Sequence, residues 1–284
     1  MAIETTVASI GKARRRNEDP RLLTGQALFT DDVHLEGLAH AAFLRSPYAH
    51  ARLRRVDAAR ARAHPGVLAV YTAADLGDYW RPGPLLVSPP PIEGVEFHER
   101  TQVPLARDKV RHAGEVIAFV VAESRYLAED AVAEIEVDYE ALTPVVDLER
   151  ALDAGSPLVH DDLASNLAAH VIQERGNYEA IRSQADVIIA RRLIYDHGAA
   201  AALENRGVVA EWDARQARLT VWDTTQAPIP IRNGLAARLH LAEHQVRVIA
   251  PFVGGGFGPK IARSRASWRI STASVDRRSV ESKR

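Results

Sequence analysis

The 284 residues contain no cysteine, which excludes disulfides, thiolate zinc sites and any cysteine-held iron–sulfur cluster within them. That absence fits a reducing compartment. An excess of charge is also missing: the formal net charge is −1, giving no electrostatic reason to expect nucleic acid or an anionic membrane as partner. Long hydrophobic runs are absent too. The longest, residues 116–122, falls far short of the roughly 20 residues a membrane span needs. The first residues show no basic stretch followed by an apolar core, so we expect no signal peptide and a soluble, cytoplasmic protein. No internal repeat, paired carboxylates, Ser/His/Asp set or metal-spaced histidines emerge. His240 and His244 are spaced i, i+4, but Glu243 between them does not complete a zinc-protease motif.

Hydrophobic content of 46% and charged content of 26% are ordinary for a globular protein, and the length suits two domains, each with its own core. Residues 1–21 read as a polar arm with a basic run at 12–16. From 22 to 145 the pattern is mixed. Strands are expected at 38–44, 67–71, 115–122 and 135–139, with helices at 58–64 and, capped by Ser124, to about 134. Residues 77–104, rich in proline and glycine, read as an irregular excursion. Arg45, Ser46 and His50 have no acid or metal-ligand spacing nearby, and we assign them a structural role. This is an α+β domain.

Past a linker at Ser156 and Pro157 the composition turns strand-like. A short helix is expected at 147–155, and a long strand with a charged, exposed middle at 186–195. A hairpin is expected around 214–217 and an amphipathic helix at 229–241. A strand at 246–250 then leads into Val-Gly-Gly-Gly-Phe-Gly-Pro-Lys at 253–260. Such a turn carries few side chains, tolerates positive φ and lets backbone N–H groups approach an anion or a flat ligand. It is not a dinucleotide fingerprint, because Pro259 stands where the last glycine should be. Nor is it a phosphate loop, since Ile261 follows Lys260 in place of serine or threonine. A cofactor-contact loop and a plain sharp bend both remain open on the residues alone.

Four segments in order resolve that choice. They are the glycine loop, residues 16–25 (Arg-Asn-Glu-Asp-Pro-Arg-Leu-Leu-Thr-Gly), residues 44–52 (Leu-Arg-Ser-Pro-Tyr-Ala-His-Ala-Arg), and Glu204-Asn205-Arg206-Gly207 with Thr224-Thr225-Gln226. Together they resemble the molybdenum-binding large subunit of the xanthine dehydrogenase/aldehyde oxidase family. The resemblance implies an α/β-hammerhead domain over 22–145, followed at 146–260 by the first part of a mixed α/β molybdopterin-binding domain. It implies that Gln226 hydrogen-bonds the apical oxo ligand of molybdenum, and that Gly255, Gly256, Phe257 and Gly258 present backbone to the cofactor. Phe257 is expected to pack with its ring. Leu203 and Asn205 depart from the family's usual Met and Pro, and Glu204 with Arg206 is either a loop-fixing ion pair or a surface pair. His197, upstream in that loop, reads as structural.

The implied cofactor is molybdenum–molybdopterin, in its cytosine dinucleotide form. The implied chemistry is hydroxylation of an electrophilic carbon in a small molecule such as an aldehyde or N-heterocycle. Since these residues hold no cysteine, the [2Fe–2S] and FAD centres are expected on partner subunits, a small and a medium one. The family's general-base glutamate lies in a Gly-x-Gly-Glu segment that this sequence lacks, so no catalytic residue is assigned. Residues 261–284 carry six arginines and six serines and match nothing in the family. The expectation is a frameshift or premature end with a disordered tail. The alternative is a non-catalytic binding or assembly module that keeps the hammerhead.

Overall fold

A computed structural model describes residues 11–83, 95–98, 100, 102–172, 175–195, 198 and 200–261. Residues 1–10 of the arm, parts of the 77–104 excursion, His197 and residues 262–284 lie outside these, and so do the expectations that rest on them.

In chain order the first domain contains α1 (Asp19–Leu23), β1 (His40–Arg45), β2 (Ala51–Asp57), α2 (Ala59–Ala63), β3 (Val67–Thr72) and the short β4 (Glu96–Phe97). It continues with β5 (Lys109–Val110), β6 (Val116–Ala122), α3 (Arg125–Ala133) and β7 (Glu136–Ala141). Strand β6 is the centre: β1 and β3 flank it, both antiparallel, and all its residues are buried. A strand closed on both edges and covered on both faces reads as an unbroken apolar run, not an alternating one. Ala118 and Val120 pack under α2 and α3 with Ala61 and Ala131. Phe119 and Val121 face the other way, with Phe119 stacked on Tyr71 at 4.9 Å between ring centroids. Beside this sheet lies a second one ordered β5–β2–β7, joined to the core through Ile117. The Ser124 hydroxyl accepts from the Leu127 N–H and starts α3 as its position foretold.

The second unit holds β8 (Ala169–His170), α4 (Tyr178–Arg182), β9 (Val208–Asp213), β10 (Arg218–Asp223), α5 (Pro228–Leu239) and β11 (Val246–Ile249). β9 and β10 form the expected antiparallel hairpin, and β11 returns parallel to β10 after the α5 crossover. Ile231, Leu235 and Ala236 of α5 pack on Leu219, Val221 and Val246. Arg238 of α5 donates to the carbonyls of Tyr79, Arg81 and Pro82, tying the two units together. No helix among the described residues is long and apolar enough to cross a membrane.

Two expectations fail. Residues 147–155 form turns and no helix: the Asp147 carboxylate captures the Glu149 N–H, and Val146, Leu148 and Leu152 find nothing to pack on. Residues 186–195 form no strand, because no other strand among the described residues pairs with them. Ser46 and His50 are held by turn and loop carbonyls, Ser46 Oγ donating to the Tyr48 carbonyl and His50 Nδ1 lying 2.7 Å from that of Thr143.

Candidate functional site

The parallel β10–β11 pair delivers two loops side by side, because ends of neighbouring parallel strands emerge on one edge of a sheet. β10 ends at Asp223 and gives way to Thr224, Thr225 and Gln226, while β11 runs into the glycine loop. The two are stitched together. The Lys260 carbonyl accepts from the Gln226 N–H at 3.0 Å and from the Thr225 hydroxyl at 3.1 Å. The Gly258 N–H donates to Gln226 Oε1 at 3.1 Å. A β-carbon at Gly256 would stand 2.2 Å from Gln226 Cδ, so only glycine admits this amide so close.

Backbone shape follows the same need. Gly255, Phe257 and Gly258 have φ of 101°, 51° and 93°, so two glycines occupy left-handed positions that side chains rarely adopt, and Phe257 adopts one despite its β-carbon. At Gly258 nothing lies within 4 Å of where a β-carbon would be, which leaves the loop's outer side open. The Phe257 ring is 69% exposed, not packed into a core as expected; it leans over Gly255, whose absent β-carbon would meet it at 2.7 Å.

The loop is clamped from below. Glu204 Oε2 accepts from the Gly254 N–H at 2.7 Å and from Lys260 Nζ at 3.0 Å, with the lysine side chain buried. Glu204 therefore does fix the loop, but its partner is Lys260 and not Arg206, which is exposed. From the first domain, the Leu28 carbonyl accepts from the Phe252 N–H, and the rings of Phe29 and Phe252 lie 6.2 Å apart.

Asp223 is the residue that motif reading missed. It is 0% exposed, and neither carboxylate oxygen has a hydrogen-bond partner. Burial pushes its pKa up to about 7, and the positive charges of Arg206 and Lys260 offset only part of that rise. A signal existed: the two-residue period of β10 puts Asp223 on the face of Leu219 and Val221, where an acid is out of place. A separate cleft of about 540 Å³, lined by Trp80, Arg107 and Arg111 of the first domain and by His160 from beyond the linker, includes none of the loop residues. Close backbone approach, not cavity size, marks the glycine loop as the candidate site.

Residues 24–143 match the family described as aldehyde oxidase and xanthine dehydrogenase, a/b hammerhead domain, and residues 159–277 match the molybdopterin cofactor-binding domain. The second match passes Ile261, where the motif resemblance stops. The chain is 37% identical over 265 residues to the carbon monoxide dehydrogenase large chain of Afipia carboxidovorans, covering 89% of this chain and 32% of that one. It is 35% identical to the nicotine 6-hydroxylase large subunit of Paenarthrobacter nicotinovorans, covering 88% and 30% respectively. Among solved structures, quinoline 2-oxidoreductase from Pseudomonas putida 86 superposes with a TM-score of 0.80 at 36% identity, covering 91% of this chain and 32% of that one. The chain thus spans about a third of the length of the relatives it matches.

Proposed function

Because the chain belongs to the xanthine dehydrogenase/aldehyde oxidase family of molybdenum-binding large subunits, we propose that residues 204–260 are its share of the molybdopterin cradle. The observation that carries this is the Gly258 N–H bonded to Gln226 Oε1, with no room for a β-carbon at Gly256. The residues fit such a group. Gln226 keeps its Nε2 donor without a partner among the described residues, and the loop beside it is open at Gly258. When bound, the molybdenum–pterin group supplies oxygen transfer to an electrophilic carbon and a sink for the electron pair.

This chain's residues bind and orient. Gln226 holds its amide in one rotation, because Oε1 is already occupied by Gly258. Nε2 is then presented as a neutral donor for an oxo ligand, with no charge added at the centre. Gly255, Gly256, Phe257 and Gly258 bring main chain close where side chains would obstruct. Glu204 and Lys260 hold that loop in register through one shared carboxylate oxygen. No side chain here is assigned as a metal ligand or as the general base; the family's base glutamate belongs to sequence outside these residues.

The proposal extends to the whole assembly. The cofactor is the cytosine dinucleotide form, electrons leave through a [2Fe–2S] small subunit and an FAD-binding medium subunit, and the complex is cytoplasmic. Its substrate is a small electrophilic carbon compound of the aldehyde or N-heterocycle class, the second class being that of the quinoline and nicotine in the names of two relatives. The hammerhead occupies 22–145 and the cradle begins near 146.

The test is molybdenum and pterin content of the full chain, purified from cells that make the cofactor, alone and together with co-expressed partner polypeptides. Retention that falls at least tenfold in Gln226→Ala and Gly258→Val, but not in the remote Tyr126→Ala, supports the reading. No retention in any preparation, or retention indifferent to those changes, overturns it.

A further inference from the structure

We propose that the cleft between Trp80 and His160 is a second binding site, for a small organic anion whose carboxylate or phosphate is held by Arg107 and Arg111. It shares no residue with Gln226 and the glycine loop, so it stands or falls apart from the cofactor reading.

The cleft's volume of about 540 Å³ lies within the roughly 300–1,000 Å³ usual for small-molecule sites. Its lining holds three arginines and three acids, and their pairing decides which charges are already spent. Arg100 donates to Asp162 at 2.5 Å. The Glu115 carboxylate accepts from the Arg111 main-chain N–H at 2.6 Å and lies 3.5 Å from His112 Nδ1. Asp108 is exposed to water. Arg107 and Arg111 remain, and neither guanidinium forms an ion pair among the described residues.

Both groups are nonetheless held in place. The Trp80 indole N–H donates to the Leu105 carbonyl at 2.8 Å, which fixes the ring. The Arg107 guanidinium lies over that ring, 3.8 Å from its centroid. Stacking occupies a face of the guanidinium and leaves its in-plane N–H fork for a carboxylate or phosphate. Arg111 Nη1 donates to the Lys109 carbonyl at 3.2 Å, while its Nε is buried with no acceptor. Protein dipoles therefore compensate this charge only in part, which favours an anion beside it. Because both cations are already ordered, a guest does not have to immobilise them.

The surroundings agree. Burial, and then the charges of Arg111 and Arg100, hold the His160 imidazole below its usual pKa, with Asp162 opposing them. The arginines' share of that shift reports a positive field inside the cleft. Pro82, Val103 and Val159 line part of the wall with apolar surface. A bare inorganic ion would leave that surface wet; an anion with an apolar body covers it.

The experiment titrates the full 284-residue chain, by calorimetry, with benzoate and phenyl phosphate and with their neutral counterparts benzamide and phenol. At least one anion should saturate the chain with a midpoint below about 1 mM, and the tighter of the two identifies the head group. Its neutral counterpart should bind at least tenfold more weakly. Arg107→Gln and Arg111→Gln should each weaken the anion at least tenfold. Arg107→Lys, which keeps the charge and loses the stacked fork, should restore only part of the loss. Arg215→Gln, at an exposed position on the β9–β10 hairpin, should change nothing. Arg107 is itself exposed, so its replacement spares the fold, which circular dichroism checks. No saturation by either anion overturns the proposal, as does equal binding of anion and neutral counterpart, or binding indifferent to Arg107→Gln. Molybdenum retention plays no part in these readouts, so failure here leaves the cofactor reading untouched.

Discussion

Residues 116–122 and 187–195 are both rich in β-branched side chains, the second interrupted by Arg191 and Arg192, yet the first run is wholly buried and the second wholly exposed. The difference lies in what the surrounding chain brings to them. β6 receives β1 and β3 on its two edges and α2 and α3 on one face, of which only α3 comes from nearby in sequence. The run at 187–195 is preceded by turns and by α4, a helix of five residues with no buried side chain, and no strand among the described residues pairs with it. Burial is thus a property of a run together with its neighbours. The same contrast appears at the site in polar form, where Asp223 is buried without any group to satisfy it.

The comparison breaks most readily at its two extremes. Val120→Asp puts a charge at a position that is 0% exposed, and is expected to cost more than about 5 kcal/mol. Ile189→Asp, at an exposed position, should stay within about 0.5 kcal/mol. Urea denaturation measures both; equal losses would show that 186–195 is packed in solution.

The next effect concerns Asp223. Its folded pKa is raised to about 7 from an ordinary 3.8, so the folded chain keeps a proton that the unfolded chain releases. Its contribution to stability is fully present below the ordinary value and is lost as pH climbs to about 7. The loss is on the order of 4 kcal/mol. Asp223→Asn should remove this slope and gain on the wild type steadily between pH 4 and 7, as read by thermal unfolding. Parallel curves would mean that Asp223 has found a partner in solution.

A smaller effect is expected at Gly256. Its alanine variant must push Gln226 aside, costing about 1–3 kcal/mol by overpacking and freeing the Gly258 amide. Faster hydrogen exchange at Gly258 checks it. Alanine at Gly37, where nothing lies within 4 Å of the new β-carbon, carries only the strain of its positive φ and should leave Gly258 unaffected.

What sequence reading recovered was local. The unbroken apolar run of β6, the hydroxyl cap of α3 and the hairpin of β9 and β10 are each set by residues a few positions apart. The approach of Gln226 to the glycine loop was legible only through the family resemblance, which joins two separate motifs, since thirty-two positions separate Gln226 from Gly258. The Glu204–Lys260 clamp was not, since its members stand fifty-six positions apart and a nearer arginine looked the better partner. The failed strand at 186–195 had the right residues and lacked partners, which no window of sequence reports.

The central claim is that Gln226 and the glycine loop hold one molybdenum–pterin group between them. Anomalous scattering at the molybdenum edge, on crystals of the loaded assembly, tests it directly. The account predicts a single metal peak beside Gln226 Nε2 and the open side of Gly258. A peak elsewhere, with Gln226 facing only water, would contradict it.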